Sequence, residues 1–167
     1  MTKEKESFQE LINDYSRKVL NTAIRILGNR EKALDVHQEV FLAIWRRWHK
    51  YDSRTNWNAY LYRTTVRKAL AFAKRPGTRT LAEHQATYPA GKEKPDELLR
   101  TAELQQRIAK CLTRLSKRQA EVFVMSRMEG LKTEKIAEIL GCSQETVRVH
   151  LHRAIKRLAV ELSDYLK

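Results

Sequence analysis

The chain has 167 residues, with 33 lysines and arginines against 20 acids and a formal net charge of +13. That length suits one ordinary domain or two small ones, and the basic excess points to a polyanion, nucleic acid first and an anionic membrane surface second. No apolar run approaches the ~20 residues of a membrane span, and the charged start "MTKEKESF" lacks the apolar stretch of a signal peptide, so the expected location is the cytoplasm. Cys111 and Cys142 form no CxxC pair, and no histidine stands at zinc-ligand spacing. Neither a disulfide framework nor a metal site is expected, no cofactor is implied, and both cysteines read as small core residues.

Apolar residues recur at helical spacing almost throughout, and strand-like alternation never persists, so the fold class is all-α. Phe8, Leu11, Ile12, Tyr15, Val19, Ala23, Ile24 and Leu27 form one stripe of a first helix over about 5–27, which Gly28 ends from the left-handed region. A second helix is expected over about 31–49. On its wheel Ala33, Leu34, Val36, Val40, Phe41, Ala43, Ile44, Trp45 and Trp48 cover more than half the circumference, as a helix packed on two sides requires. Asp35, Gln38, Glu39, Leu42 and Arg46 share the narrow remainder, either plain solvent-facing surface or a face reserved for a partner.

A third helix over about 56–74 stops before "RPGTRT", where Pro76 and Gly77 cannot continue it. It places Tyr60, Arg63, Arg67 and Lys74 along one stripe, opposite Leu61, Thr65, Ala69, Phe72 and Ala73. Cations interleaved with an aromatic suit a single strand, whose phosphates they follow and whose bases the ring can stack on; a solvated cationic face is the alternative. The preceding loop "KYDSRTNWN" offers Lys50, Tyr51, Arg54, Asn56, Trp57 and Asn58. Its amides can read a base edge, while Trp57 is either a stacking platform or a core anchor.

All three prolines lie in the segment from Arg75 to Asp96, which reads as a flexible linker. Residues 1–75 carry sixteen basic side chains against eight acids, and residues 101–167 thirteen against eight, with a neutral stretch between them. Two basic modules, 1–75 and 96–167, joined by a tether over 76–95, suit two contacts with one long polyanion.

The second module begins with a helix over about 96–113. Ser116 and Gln119 stand at capping-box spacing, with Leu115 placed for a hydrophobic staple on Ala120, and the helix they open runs to Met128, closed by Gly130. A short helix over about 133–140, a turn at Gly141 and a long helix capped by Ser143 and reaching about 162 form a helix-turn-helix. Val147, Leu151, Ala154, Ile155 and Leu158 are expected to face Ile136, Ala137, Ile139 and Leu140. The opposite face carries Glu145, Thr146, Arg148, Val149, His152, Arg153 and Lys156. Arg148 and Arg153 can reach phosphates or guanine edges, Glu145 a cytosine amino group and Val149 a thymine methyl; a basic surface helix of a bundle is the alternative.

The stretch "LSKRQAEVFVMSRMEGLKTEKIAEILGCSQETVRVHLHRAIKRL" resembles region 4 of the sigma-70 family, "ALDVHQEVFLAIWRRW" resembles region 2.2, and "NAYLYRTTVRKAL" resembles regions 2.3 to 2.4. Regions 2 and 4 follow each other with no region 3 domain, as in the extracytoplasmic-function (ECF) sigma factors. The resemblance implies a non-enzymatic promoter-specificity subunit. Region 4 would read the −35 element and touch the β flap of core RNA polymerase. Region 2 would melt and hold the −10 strand, and the strip Asp35, Gln38, Glu39, Leu42 and Arg46 would dock on the β′ coiled coil. It also allows an anti-sigma factor that clamps the two domains. The sequence departs from the family pattern at Lys135, usually Glu, at Tyr60, often Trp, and at Arg67 and Ala71, usually Asn and Asp.

No catalytic constellation competes. His37, His49, His84, His150 and His152 are scattered, and no carboxylate cluster for Mg²⁺ is present. A duplex-binding helix-turn-helix regulator and a basic helical protein on anionic membranes remain as alternative readings.

Overall fold

The computed structural model describes residues 2–75 and 95–163; of the expected tether over 76–95, residues 76–94 lie outside them, and Pro95 instead opens a helix, its fixed φ suiting a first helical position. Every regular element among the described residues is helical. Helix α1 spans Thr2–Leu27, α2 Arg30–Trp45 and α3 Trp57–Ala73, and a single 3₁₀ turn occupies Trp48–Lys50. Helix α4 spans Pro95–Leu112, α5 Lys117–Phe123, α6 Thr133–Leu140 and α7 Gln144–Ser163, with a π-helical turn over Val124–Met128. Among the described residues no helix is long and apolar enough to cross a membrane.

The first three helices interlock through stripes set by the 3.6-residue repeat: Val19, Ala23 and Ile26 from α1, Ala33, Val36, Val40 and Ile44 from α2, and Leu61, Val66 and Ala69 from α3 are all buried. Gly28, at φ 63°, ends α1, and the Asn29 side chain accepts from Lys32 N at 2.9 Å to open α2.

Helix α2 ends four residues earlier than its periodicity predicts. Arg47 N donates to Ile44 O at 3.0 Å and Lys50 N to Arg47 O at 2.8 Å, a three-residue pattern that tightens the chain. In that tightened turn the Trp48 ring lies 5.0 Å from Phe8 and stacks on Trp57, contacts that stabilise it there. The two-sided burial expected of α2 is also incorrect. Leu34 and Trp45 are 44% and 41% exposed, because α1 and α3 cover α2 from one side and leave its outer flank open.

In the second half, Ser116 and Gln119 form a reciprocal capping box, and Leu115 and Ala120 are both buried. The helix they open changes pitch: Glu129 N donates to Val124 O at 3.0 Å, one residue further back than an α-helix allows. Gly130 and Gly141 hold φ of 67° and 64°, and Ser143 Oγ accepts from Thr146 N at 3.1 Å. Cys111 and Cys142 are half-buried free thiols, and burial, then the Glu161 carboxylate, push the Cys111 thiol up.

The two halves pack against each other. Helices α5 and α6 lie on α3, and α4 lies against α1 and α3. At the end of α1, a Cβ added at Gly28 would lie 3.5 Å from the Gln105 side chain, an ordinary van der Waals separation. Leu61, 2% exposed, sits in the α3 stripe between α1 and α2. Truncation by Leu61→Ala is expected to lower stability by ~2–5 kcal/mol through lost contacts and a residual cavity, read as a shift in the urea midpoint.

Candidate nucleic-acid interface

Helix α7 carries the first candidate face. Its buried side is Val147, Ala154 and Leu158, with Leu151 half-buried, packed on α5 and on α6, whose Ile136, Ala137, Ile139 and Leu140 are buried. Ile155 is not part of that side. It is 37% exposed, because it lies at the edge of the stripe formed by Val147, Leu151, Ala154 and Leu158.

Glu145, Arg148, Val149, His152, Arg153 and Lys156 all face solvent, as expected, and Thr146 is half-buried, its hydroxyl 2.8 Å from that of Ser143. Arg148 reaches Glu145 at 3.5 Å and the Gln144 side chain at 3.3 Å. Exposed pairs of this kind are weak, so the guanidinium exchanges them readily for a phosphate or base edge. The face combines cation, acceptor and apolar groups within reach of one groove.

The second candidate face surrounds the start of α3. Trp48 stacks on Trp57 with centroids 5.5 Å apart and planes 17° apart, and Tyr51 and Tyr60 close the cluster edge-on at 4.9 and 5.9 Å from Trp57. The two phenols share a hydrogen bond of 2.6 Å; burial and that bond push Tyr51 up to about 12, so it stays neutral at ordinary pH. Trp57 thus takes the anchoring role of its two expected ones on the ring face that meets Trp48.

Both amides are partly committed: the Asn56 side chain accepts from Ala59 N at 3.1 Å as the cap of α3, and Asn58 accepts from Lys18 Nζ. Lys50, Arg54 and Lys74 are exposed, Arg54 lying 3.8 Å from Asp52, and Arg63 is half-buried. Arg67 departs from the expected open stripe. Its Nε donates to Glu121 Oε1 at 2.5 Å, placing it in the contact between the halves.

On α2, Asp35, Gln38, Leu42 and Arg46 are exposed, Leu42 at 43%. Glu39 turns away from them toward the end of α3, 3.1 Å from Arg75 and 3.8 Å from Lys68. Beside Gln38 and Leu42 an open groove of about 500 Å³ runs between α1 and α2, lined by Phe8, Gln9, Ile12, His37, Phe41 and Trp45 as well. Sequence reasoning missed this groove. Phe8 and Ile12 signal it only as an i, i+4 pair, and the space exists only when two helices are set side by side.

Two family descriptions match in order: Sigma-70 region 2 over residues 11–78 and Sigma-70 region 4 over residues 105–158. The chain belongs to the sigma-70 family, in its ECF branch. ECF RNA polymerase sigma factor SigE of Mycolicibacterium smegmatis is 29% identical over 163 residues, covering 96% of this chain; the chain spans 62% of that relative's length. ECF RNA polymerase sigma factor SigW of Bacillus subtilis is 24% identical, covering 96% of this chain and 91% of its own. The solved structure of sigma factor RpoE in complex with the anti-sigma factor NepR from Bartonella quintana shares the fold, with TM-score 0.53 at 23% identity over 95% of this chain and 98% of that one.

Within sigma region 2, His37 closes the groove floor. Its Nε2 lies 2.7 Å from Ser16 Oγ, and burial pushes its pKa below the usual value. The folded state therefore prefers neutral His37, and stability present above about pH 6.5 is lost as pH falls toward the depressed value, where the unfolded chain binds the extra proton. The urea midpoint is expected to fall between pH 7.5 and 5.5 and to fall less in His37→Gln; an equal fall in both would show that His37 is not the group.

Proposed function

We propose that the chain is a promoter-specificity subunit that binds core RNA polymerase, directs it to −35/−10 promoters and helps open the −10 element, with no chemistry of its own. The observation that carries this is the presence of both sigma modules in order on one chain, the second presenting an exposed recognition face on α7. Residues 1–75 would act as region 2, 76–95 as tether and 96–167 as region 4, working in the cytoplasm, where the polymerase is. Glu145, Thr146, Arg148, Val149, His152, Arg153 and Lys156 would meet the −35 duplex, and Thr146, half-buried at the first turn, would set its entry. Lys50, Tyr51, Arg54, Asn56, Trp57, Asn58, Tyr60, Arg63, Arg67 and Lys74 would follow the opened −10 strand. Here the solvent side of the aromatic cluster replaces lost base stacking at ~1–3 kcal/mol per base.

Core polymerase would dock on Asp35, Gln38, Leu42 and Arg46 together with the apolar groove, because exposed Leu42 and Trp45 beside a shaped hollow suit a protein surface better than DNA. Glu39 would shape the edge of that face through its bridge to Arg75, and the β flap would contact region 4. The Bartonella relative is solved with an anti-sigma factor, and a similar regulator is a further candidate partner here.

Purified chain with core polymerase is expected to yield promoter-dependent transcripts from a template library randomised at −35 and −10. Transcripts only when a housekeeping sigma factor is added, with tight duplex binding by the chain alone, would make it an ordinary helix-turn-helix regulator. In the same assay Arg148→Ala should weaken −35 use by about 1–3 kcal/mol with core affinity unchanged. The pair Asp35→Ala plus Gln38→Ala should lower affinity for core polymerase while the helical circular-dichroism signal holds; unchanged affinity would move the docking face elsewhere.

A further inference from the structure

The two amides at the start of α3 are oriented alike. Asn56 Oδ1 accepts from Ala59 N at 3.1 Å, and Asn58 Oδ1 accepts from Lys18 Nζ, an ammonium brought from α1, 40 positions earlier. A lysine ammonium and a backbone N–H only donate, so in both side chains the carbonyl oxygen is the atom turned inward. The Asn58 nitrogen has no partner among the described residues and is not shut off from solvent. Lys18 is held from a second side as well, its ammonium 5.6 Å from the centre of the Tyr62 ring.

That orientation decides which base edges Asn58 can read. An asparagine grips adenine by donating from its nitrogen and accepting at its oxygen together, because adenine shows a donor beside an acceptor. With its oxygen turned to Lys18, Asn58 presents N–H groups alone, and these suit a carbonyl acceptor such as thymine O4 or guanine O6. The hollow that Lys18 lines with Asn58, Tyr15, Tyr62 and Thr65 has a volume of about 10 Å³, room for one water and far too little for a base. Lys18 therefore acts on a base through the amide it holds.

We propose that Lys18 is a positioning residue of the opened-strand site: it locks the Asn58 amide with its N–H groups outward, so that the base meeting Asn58 is selected for a carbonyl acceptor and against adenine. This rests on the sigma reading for the presence of a single strand at Asn58, whereas the lock is a contact within region 2. Without Lys18 the amide is free to turn its oxygen outward, and adenine regains the two-point contact. One such pair separates bases by roughly fivefold or more. Loss of the lock moves base preference at one position, whereas loss of a phosphate contact weakens all sequences alike.

The test uses the full chain with core polymerase and the template library randomised at −10, and reads the bases of the transcribed templates. The unaltered chain should deplete adenine at one −10 position of the captured strand. Lys18→Met, which keeps the stem and removes the donors, should cut that depletion by roughly fivefold at that position alone, with −35 use and helical circular dichroism unchanged. Lys18→Arg, which can still donate to Asn58, should keep it. In an Asn58→Ala background, Lys18→Met should change nothing further at that position. The lock is overturned if adenine is depleted nowhere, if Lys18→Met and Lys18→Arg behave alike, if the change spreads over all positions, or if it persists beside Asn58→Ala. Should Lys18→Met lose helicity, Lys18→Ala is read in its place. Transcripts without a shift in base use would remove the lock and keep the sigma reading. Absence of transcripts would remove the sigma reading, and the lock is then judged on the free chain by its relative affinity for fluorescein-labelled dT15 over dA15. Lys18→Met but not Lys18→Arg should lower that ratio by roughly fivefold; no shift, or no binding, overturns the lock.

Discussion

A carboxylate taken out of water costs several kcal/mol unless cations and hydrogen bonds replace its hydration. Glu121 meets that condition only because two arginines converge on it, Arg118 from its own helix and Arg67 from a helix 54 positions earlier. The pairing depends on the packing of α5 and α6 on α3, which is what brings Arg67 to the carboxylate. At the end of α1 a single arginine, Arg25, holds Glu129. An ion pair of this kind is specific in position, and its net strength is modest because desolvation offsets most of the attraction.

The same economy of position appears at the start of α3. Trp48, Tyr51, Trp57 and Tyr60 come from a 3₁₀ turn, a loop and the first turn of a helix, and their mutual stacking gives the loop a rigid base. The cations beside it, Lys50 and Arg54, stay in water, as does Lys74 at the far end of α3. A rigid aromatic floor rimmed by mobile charge suits a flexible anionic strand, because the floor loses little entropy on binding while the rim adapts.

Region 2 separates its two kinds of surface. Lys50 and Arg54 stand beside the aromatic cluster, whereas the α1–α2 groove carries exposed Leu42 and Trp45 with Gln38, and Leu34 and Asp35 lie exposed on the same helix. In the proposed reading, salt-dependent attraction of phosphates would act on the first, and area burial on the second. The open flank of α2 is what makes the second available.

The helices, their caps, the turn glycines and the outward face of α7 were determined by the sequence itself. These depend on groups within four residues of one another: the 3.6-residue repeat, the Ser116–Gln119 box, Ser143 at a helix start, and glycines at positive φ. Only the tertiary structure decided which groups from distant segments would meet. It set Arg67 on Glu121, turned Glu39 to Arg75, stacked Trp57 on Trp48, left Trp45 and Ile155 outside, and opened the groove between α1 and α2. A wheel shows which side of one helix is apolar; how much of that side is covered depends on the length and placement of its neighbours, which no local pattern records.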